Sequence, residues 1–286
     1  MFVPRRSVLY LPGVNERAQA KAAALDCDAL IFDLEDAVAP DAKAAARERV
    51  RQSLLEHDYG HRELLLRINA LSTPWGGDDV RAGARLPVAG YVLPKVESAL
   101  EVRAAAEALA AAGAGEFALW LMIESPASVL ALEELCAAHP AVRVLVMGTS
   151  DLVQDLRASH TPGREGLLYA LSKAVTCARA FGLEALDGVH LDFRNAETFA
   201  STCRQGRALG FDGRTLIHPD QIAPANEIYG IADADVERAR RVLAAWDAAV
   251  AAGVGVVELD GQLVENLHAD EARRLLDVAA ALTRRA

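Results

Sequence analysis

Little in this sequence suits a disulfide, zinc or membrane protein. Cysteine occurs four times, at Cys27, Cys136, Cys177 and Cys203, and never as a CxxC pair. Thiols this far apart, in apolar or helical surroundings, suggest neither a zinc site nor a disulfide framework. They predict buried, reduced side chains in a cytoplasmic protein. No stretch approaches about 18 apolar residues without a charge or a breaker, so no spanning helix is expected. The opening MFVPRRSVLYLPG lacks the apolar segment of a leader and runs straight into a strand pattern, so no signal peptide is predicted. Positive charge is also short. The net charge of −10 repels phosphate backbones and argues against nucleic acid as a partner. A small anionic ligand stays open, because a few local Arg or Lys residues outweigh the global field. Nothing like GxGxxG follows the first strand-like run, which weakens a dinucleotide-binding reading.

What is there is a repeat of apolar runs and helical stretches. The runs fall at 7–12, 29–34, 64–69, 90–96, 118–124, 142–149, 184–191 and 213–218. Between them, Ala/Glu/Arg-rich segments near 16–25, 41–57, 77–84, 98–112, 126–138, 164–182, 195–209 and 220–229 have helical character. Continuous apolar runs joined by helices belong to a parallel sheet covered on both faces. Eight such units in about 230 residues fit a (β/α)₈ TIM barrel better than an open sheet. The barrel is expected over residues 1–229. Residues 230–286 read as a C-terminal helical extension, with a helix at 233–252, a strand at 254–261 and a helix at 269–284.

Barrel enzymes place their chemistry at the C-terminal ends of the strands. Here those ends are polar: Asp33, Glu35 and Asp36; Arg67 and Asn69; Lys95 and Glu97; Glu124; Asp151; Asp187; and His218. A purely structural barrel has no need to gather so many charges on one rim. Glu124 and Asp151 close adjacent strands and supply hard oxygens. Mg²⁺ takes one or two carboxylates and completes its shell with water and substrate oxygens, and no His/Cys cluster favours zinc. Glu35 and Asp36 are expected behind the metal, orienting its waters; a place as further ligands, or structural pairing with nearby cations, stays open for them and for Asp33. Arg67 offers a planar fork for a carboxylate or an enolate oxygen, or pairs with a rim acid. Lys95 does similar electrostatic work, and acids around it oppose a Schiff-base role. His190 and His218 are either acid/base groups or structural.

The blocks RSVLYLPG at 6–13, DALIFDLEDAVAPDAK at 28–43, LRIN at 66–69, LPKVES at 93–98, MIES at 122–125, MGTSDL at 147–152 and GFDGRTLIHPDQI at 210–222 come in one order and spacing. Together they resemble the citrate lyase β-subunit-like family of the HpcH/HpaI aldolase group, and the tail LDGQLVENLHADEA at 259–272 extends the resemblance. The resemblance implies a Mg²⁺-dependent barrel lyase that cleaves or condenses a 3-hydroxy-carboxyacyl-CoA, such as malyl-CoA or citramalyl-CoA, to acetyl-CoA and a 2-oxo acid. By motif position Glu124 and Asp151 match the metal ligands, and Arg67 matches the arginine that binds substrate and stabilises the enolate. Lys21 matches a lysine that holds CoA phosphates. An arginine often found two residues after the LPG block is Asn15 here. Lyase-like members carry an acid in the tail that reaches a neighbouring subunit and moves a proton. That position is Glu265, one methylene longer than the usual aspartate. A tail of this kind implies an oligomer, a homotrimer or homohexamer. Three alternatives accompany the lyase: a malyl-CoA thioesterase on the same scaffold, a CoA-independent metal aldolase, and a non-catalytic subunit that binds an acyl carrier.

Overall fold

The computed structural model describes residues 3–284. Eight parallel strands close into a barrel in sequence order: β1 (Ser7–Pro12), β2 (Ala29–Asp33), β3 (Glu63–Arg67), β4 (Gly90–Leu93), β5 (Ala118–Ile123), β6 (Val142–Met147), β7 (Glu184–Asp187) and β8 (Gly213–Leu216). Closure comes from β8 pairing back on β1, with Ser7 opposite Arg214. The helices around them are α1 (Glu16–Ala22), α2 (Lys43–Glu56), α3 (Gly76–Gly83), α4 (Ala99–Ala111), α5 (Pro126–Leu130), α6 (Leu132–Cys136), α7 (Thr149–Asp155), α8 (Leu168–Ala180), α9 (Ala196–Leu209) and α10 (Ile222–Tyr229).

The continuous apolar runs reflect two cores, one on each face of the sheet. Val8, Ile31, Leu65, Val92, Trp120, Met122, Val144, Val146 and Leu186 fill the barrel interior. Their neighbours Leu9, Leu30, Phe32, Leu66, Leu93, Leu121 and Leu145 pack outward with the helices. Strand side chains alternate, so both sets must be apolar in the same short segment. At the N-terminal end, Arg5 spans Glu63 at 2.6 Å and Glu184 at 2.8 Å, and its guanidinium lies 5.2 Å from the Trp120 ring centroid. This ion-paired floor closes the barrel end opposite the charged rim formed by the C-terminal strand ends.

The expected barrel is present, with differences at its edges. Strands end earlier than the apolar runs, because their last residues turn away from the sheet to form the rim. The helix expected at 126–138 is two short helices meeting at Ala131, where the backbone leaves helical geometry (φ −86°, ψ 5°). The segment 149–155, for which the sequence pattern predicts no helix, forms α7.

Arg5–Tyr229 form one compact unit, and the chain from Gly230 onward belongs to a second. The second holds α11 (Asp233–Ala251), a hairpin of β9 (Val257–Leu259) and β10 (Gln262–Val264), and α12 (Asn266–Thr283). Its core gathers Ala239, Val242, Trp246, Val264, Ala269 and Ala272. The single strand expected at 254–261 is shorter and has a partner. Asp260 and Gly261 both take positive φ, 51° and 76°, the requirement of a tight two-residue hairpin turn. No helix among the described residues is long and apolar enough to cross a membrane.

Candidate active site

The strand alternation that fills the barrel also builds the site. Following the inward series upward, Ala29 and Ile31 lead to Asp33, Leu65 leads to Arg67, and Trp120 and Met122 lead to Glu124. The inward series therefore ends in a charge at the top of each of these strands, at the last residue of β2 and β3 and one residue past β5. Together with Tyr10, Thr215 and Asp151 they line one cavity of about 370 Å³.

Arg67 is 7% exposed and held from several sides. Its Nε donates to Asp33 Oδ1 at 2.7 Å and its Nη2 to Oδ2 at 2.6 Å, a bidentate fork. Nη1 stands 3.2 Å from Glu35 and 3.4 Å from Met122 Sδ, and the guanidinium lies 4.8 Å from the Tyr10 ring centroid. Burial opposes its charge, but Asp33 and then Tyr10 and Glu35 outweigh it, so the guanidinium is held well above its ordinary value. Asp33 is fixed in turn by the backbone N–H groups of Glu35 at 2.8 Å and Ala37 at 3.2 Å. Both readings of Arg67 meet here: it is paired with a rim acid, and it still faces the cavity.

Glu124 is 3% exposed, and its Oε1 accepts the backbone N–H of Lys95 at 2.6 Å. Lys95 reaches this position with φ 53°, a left-handed conformation that costs a non-glycine residue strain. Burial drives the Glu124 carboxyl up to about 8, partly opposed by the Lys95 N–H and Arg67, with Asp151 and Glu35 adding to the rise. Gly148 leaves room for it: a Cβ there would stand 2.6 Å from Glu124 Oε2. Asp151 sits half-buried in the first turn of α7 rather than on a strand end. It lines the cavity with Glu124, and also a second opening with Lys95 and Glu97.

Two converging carboxylates, one buried and pushed toward neutrality, are a donor set that a hard divalent cation relieves. Among the described residues no group of three or more His, Cys, Asp or Glu side chains is placed as a metal cage. The pair therefore fits Mg²⁺, which takes few protein ligands, better than zinc or an all-protein calcium site.

Glu35 and Asp36 turn toward cations. Lys95 Nζ donates to Glu35 at 2.8 Å and to Asp36 at 3.1 Å. Burial lifts the Glu35 carboxyl above its ordinary range; burial acts upward on Asp36 too, but Glu35 and Lys95 hold it below. Lys21 is exposed in the last turn of α1 and does not line the cavity, and Glu265 is exposed at the start of α12 in the second unit. His190 lines a neighbouring cavity, and His218 stacks on Phe193 at 4.7 Å.

Two contributors give only a weak signal in the sequence. Tyr10 is the inward residue under Arg67; its signal is a polar-tipped aromatic in an inward register. Lys43 is buried, and its Nζ donates at 2.8 Å to Leu34 O, Glu35 O and Asn69 Oδ1, tying down the acidic loop. Its signal is a cation in the first turn of a helix, the unfavourable end of the dipole, which calls for a distant partner.

Comparison with known proteins agrees with this geometry. The family HpcH/HpaI aldolase/citrate lyase matches residues 6–219. A (3S)-malyl-CoA thioesterase of Cereibacter sphaeroides is 43% identical over 98% of this chain and 96% of its own length. The citrate lyase subunit beta of Escherichia coli K12 is 34% identical over 96% of this chain and 93% of its own. A crystal structure of CitE from Mycobacterium tuberculosis, in complex with magnesium, acetoacetate and coenzyme A, superposes with a TM-score of 0.79 at 31% identity, covering 97% of this chain and 98% of that one. The chain belongs to the HpcH/HpaI aldolase/citrate lyase family.

Proposed function

We propose that the chain acts on the CoA thioester of a short 3-hydroxy acid bearing a second carboxylate, malyl-CoA being the type, and hydrolyses it to CoA and the free hydroxy acid. The reading is carried by one cavity that gathers Glu124, Asp151 and Arg67, in a chain alike over nearly its whole length to a (3S)-malyl-CoA thioesterase. Glu124 and Asp151 would hold Mg²⁺, the ion present in the mycobacterial CitE complex. When bound, such an ion supplies charge neutralisation and polarises the substrate's hydroxyl and carboxylate oxygens. Arg67, locked by Asp33, presents its remaining edge to the thioester oxygen as negative charge develops there; a preformed donor needs no reorganisation at that moment. Lys95 keeps Glu124 in place through its backbone N–H and neutralises Glu35 and Asp36. Glu265, supplied by a neighbouring subunit of a trimer or hexamer, takes the proton from the attacking water and returns it to the CoA sulfur as the C–S bond breaks. Lys21 contributes to holding the CoA phosphates outside the cavity. A chain using CoA thioesters, with all four cysteines buried and unpaired, belongs in the cytoplasm.

The second reading is carbon–carbon cleavage to acetyl-CoA and a 2-oxo acid, favoured by the likeness to citrate lyase subunit beta. There Glu265 or water takes the substrate's hydroxyl proton as the carbon–carbon bond breaks, Arg67 stabilises an enolate oxygen in place of a tetrahedral one, and the proton returns to the enolate carbon. The charged rim opposes a non-catalytic acyl-carrier subunit. One assay separates these: the full chain with Mg²⁺ on malyl-, citramalyl- and citryl-CoA, scoring free thiol against 2-oxo acid. Free CoA with intact hydroxy acid supports hydrolysis, and 2-oxo acid supports the lyase. No turnover of any thioester overturns both.

A further inference from the structure

Beside the first cavity lies another, of about 460 Å³, that shares Thr149 and Val189 with it. Strand alternation decides what faces it. On β8, Thr215 points into the barrel and lines the first cavity, so Arg214 points out, between the sheet and α9. There Arg214 is 2% exposed and lines the second cavity. Arg164, 8% exposed, lines it too.

These two guanidiniums share one buried carboxylate. Asp187, opposite Arg214 on β7, is fully buried. Both its oxygens accept from Arg164 Nη1, at 2.7 and 2.8 Å. Arg214 stands further off, 3.4 Å from Oδ2, and donates to the Thr202 hydroxyl at 3.1 Å. Its Nε has no hydrogen-bond partner among the described residues. Asp192 also lines the cavity but is exposed, where solvent screens it. The buried count is two cations against one anion. A buried charge left without a counter-charge is strongly unfavourable, and a further anion relieves it. His190 is on the same wall, and its imidazole is held below the ordinary value, by burial first, then by Arg214 and Arg164, with Asp192 opposing them.

We propose that this second cavity is a binding site for a small oxyanion, a carboxylate or phosphate group, held by Arg214 and Arg164. Guanidinium is the group best matched to either, through paired N–H donors. The shared wall at Thr149 and Val189 allows two sources: an anionic group carried by the substrate in the first cavity, or a free anion bound beside it. The site does not depend on which bond the chain breaks.

The test is thermal unfolding of the full chain in EDTA, at constant ionic strength, with inorganic phosphate and separately with succinate. EDTA removes anion binding through a metal at Glu124 and Asp151. One or both anions should raise the midpoint by about 2 °C at about ten times their dissociation constant. The shift should persist in Glu124→Gln and vanish in Arg214→Met. Ser201→Trp, an exposed position on the cavity wall, should also abolish it by filling the space, and serves if Arg214→Met does not fold. If adding CoA removes the phosphate shift, the source is the substrate; if the shift adds to that of CoA, the source is a free anion. No shift with either anion, or a shift that survives in a folded Arg214→Met or Ser201→Trp chain, overturns the proposal.

Discussion

Arg67 and Asp33 show how a single pair serves both fold and chemistry. The guanidinium is buried among side chains that leave it no freedom, and Asp33 spends both oxygens on it. Asp33→Ala would strand that cation. Removing one partner of a buried pair costs about 3–5 kcal/mol, so urea unfolding should show a loss of that size together with loss of turnover. A change within error would mean that Glu35 alone holds Arg67. Glu124 makes a second prediction at this scale, in the metal-free chain. Its folded value of about 8 lies above the ordinary carboxylate value of 4.5. The native state therefore binds a proton that the unfolded chain has released, and stability present below the ordinary carboxylate range is lost as pH rises through about 8. Denaturant unfolding in EDTA from about pH 5 to pH 9 should show this decline, flattened in Glu124→Gln and reversed by added Mg²⁺. A flat wild-type profile would show that the carboxyl is solvated.

At the scale of elements, the junction of β6 and α7 sets the site. Gly148 lets the chain pass Glu124 closely: a Cβ would stand 2.3 Å from the Glu124 Cβ. Gly148→Ala should displace the carboxylate, weaken Mg²⁺ binding by about 10–100-fold and cost about 1–3 kcal/mol of stability. Calorimetric titration with Mg²⁺ reads the first; unchanged affinity would remove Glu124 from the metal site. The same junction shows why the sequence pattern makes Asp151 look like a strand end. After Met147 the chain runs through Gly148, Thr149 and Ser150, small residues with no helical apolar pattern, and Gly148 offers no side-chain cap to announce α7. A short helix that begins where a strand ends leaves no periodicity to detect. By contrast, Ser98 and Ser125 announce their helices openly, each accepting a backbone N–H from the first turn, and those boundaries are legible.

At the scale of the molecule, the proposal that Glu265 completes a neighbour's cavity makes a test no single chain can pass. Asp151→Asn and Glu265→Gln chains should each be inactive. Mixed, unfolded together and refolded, they should recover activity, because some interfaces then join an intact rim to an intact tail. Absence of recovery, with both variants correctly assembled by sedimentation, would place the proton-moving carboxylate within each chain's own barrel.

Much of this protein follows from its sequence alone. Eight apolar runs with helices between them require a sheet buried on both faces, because only then are consecutive strand positions all apolar. The charged residues that end those runs had to collect on one rim, because parallel strands all point their C-terminal ends the same way. Which charges meet is settled only when the barrel closes. Asp33 and Arg67, Glu35 and Lys95, and Arg164, Asp187 and Arg214 are each separated by some twenty residues or more. Their pairing depends on barrel register and on the face each side chain takes. A one-residue change in register would send Arg67 outward and leave the cavity without its cation. The sequence carries the charges; the closed barrel decides which ones face each other across a cavity.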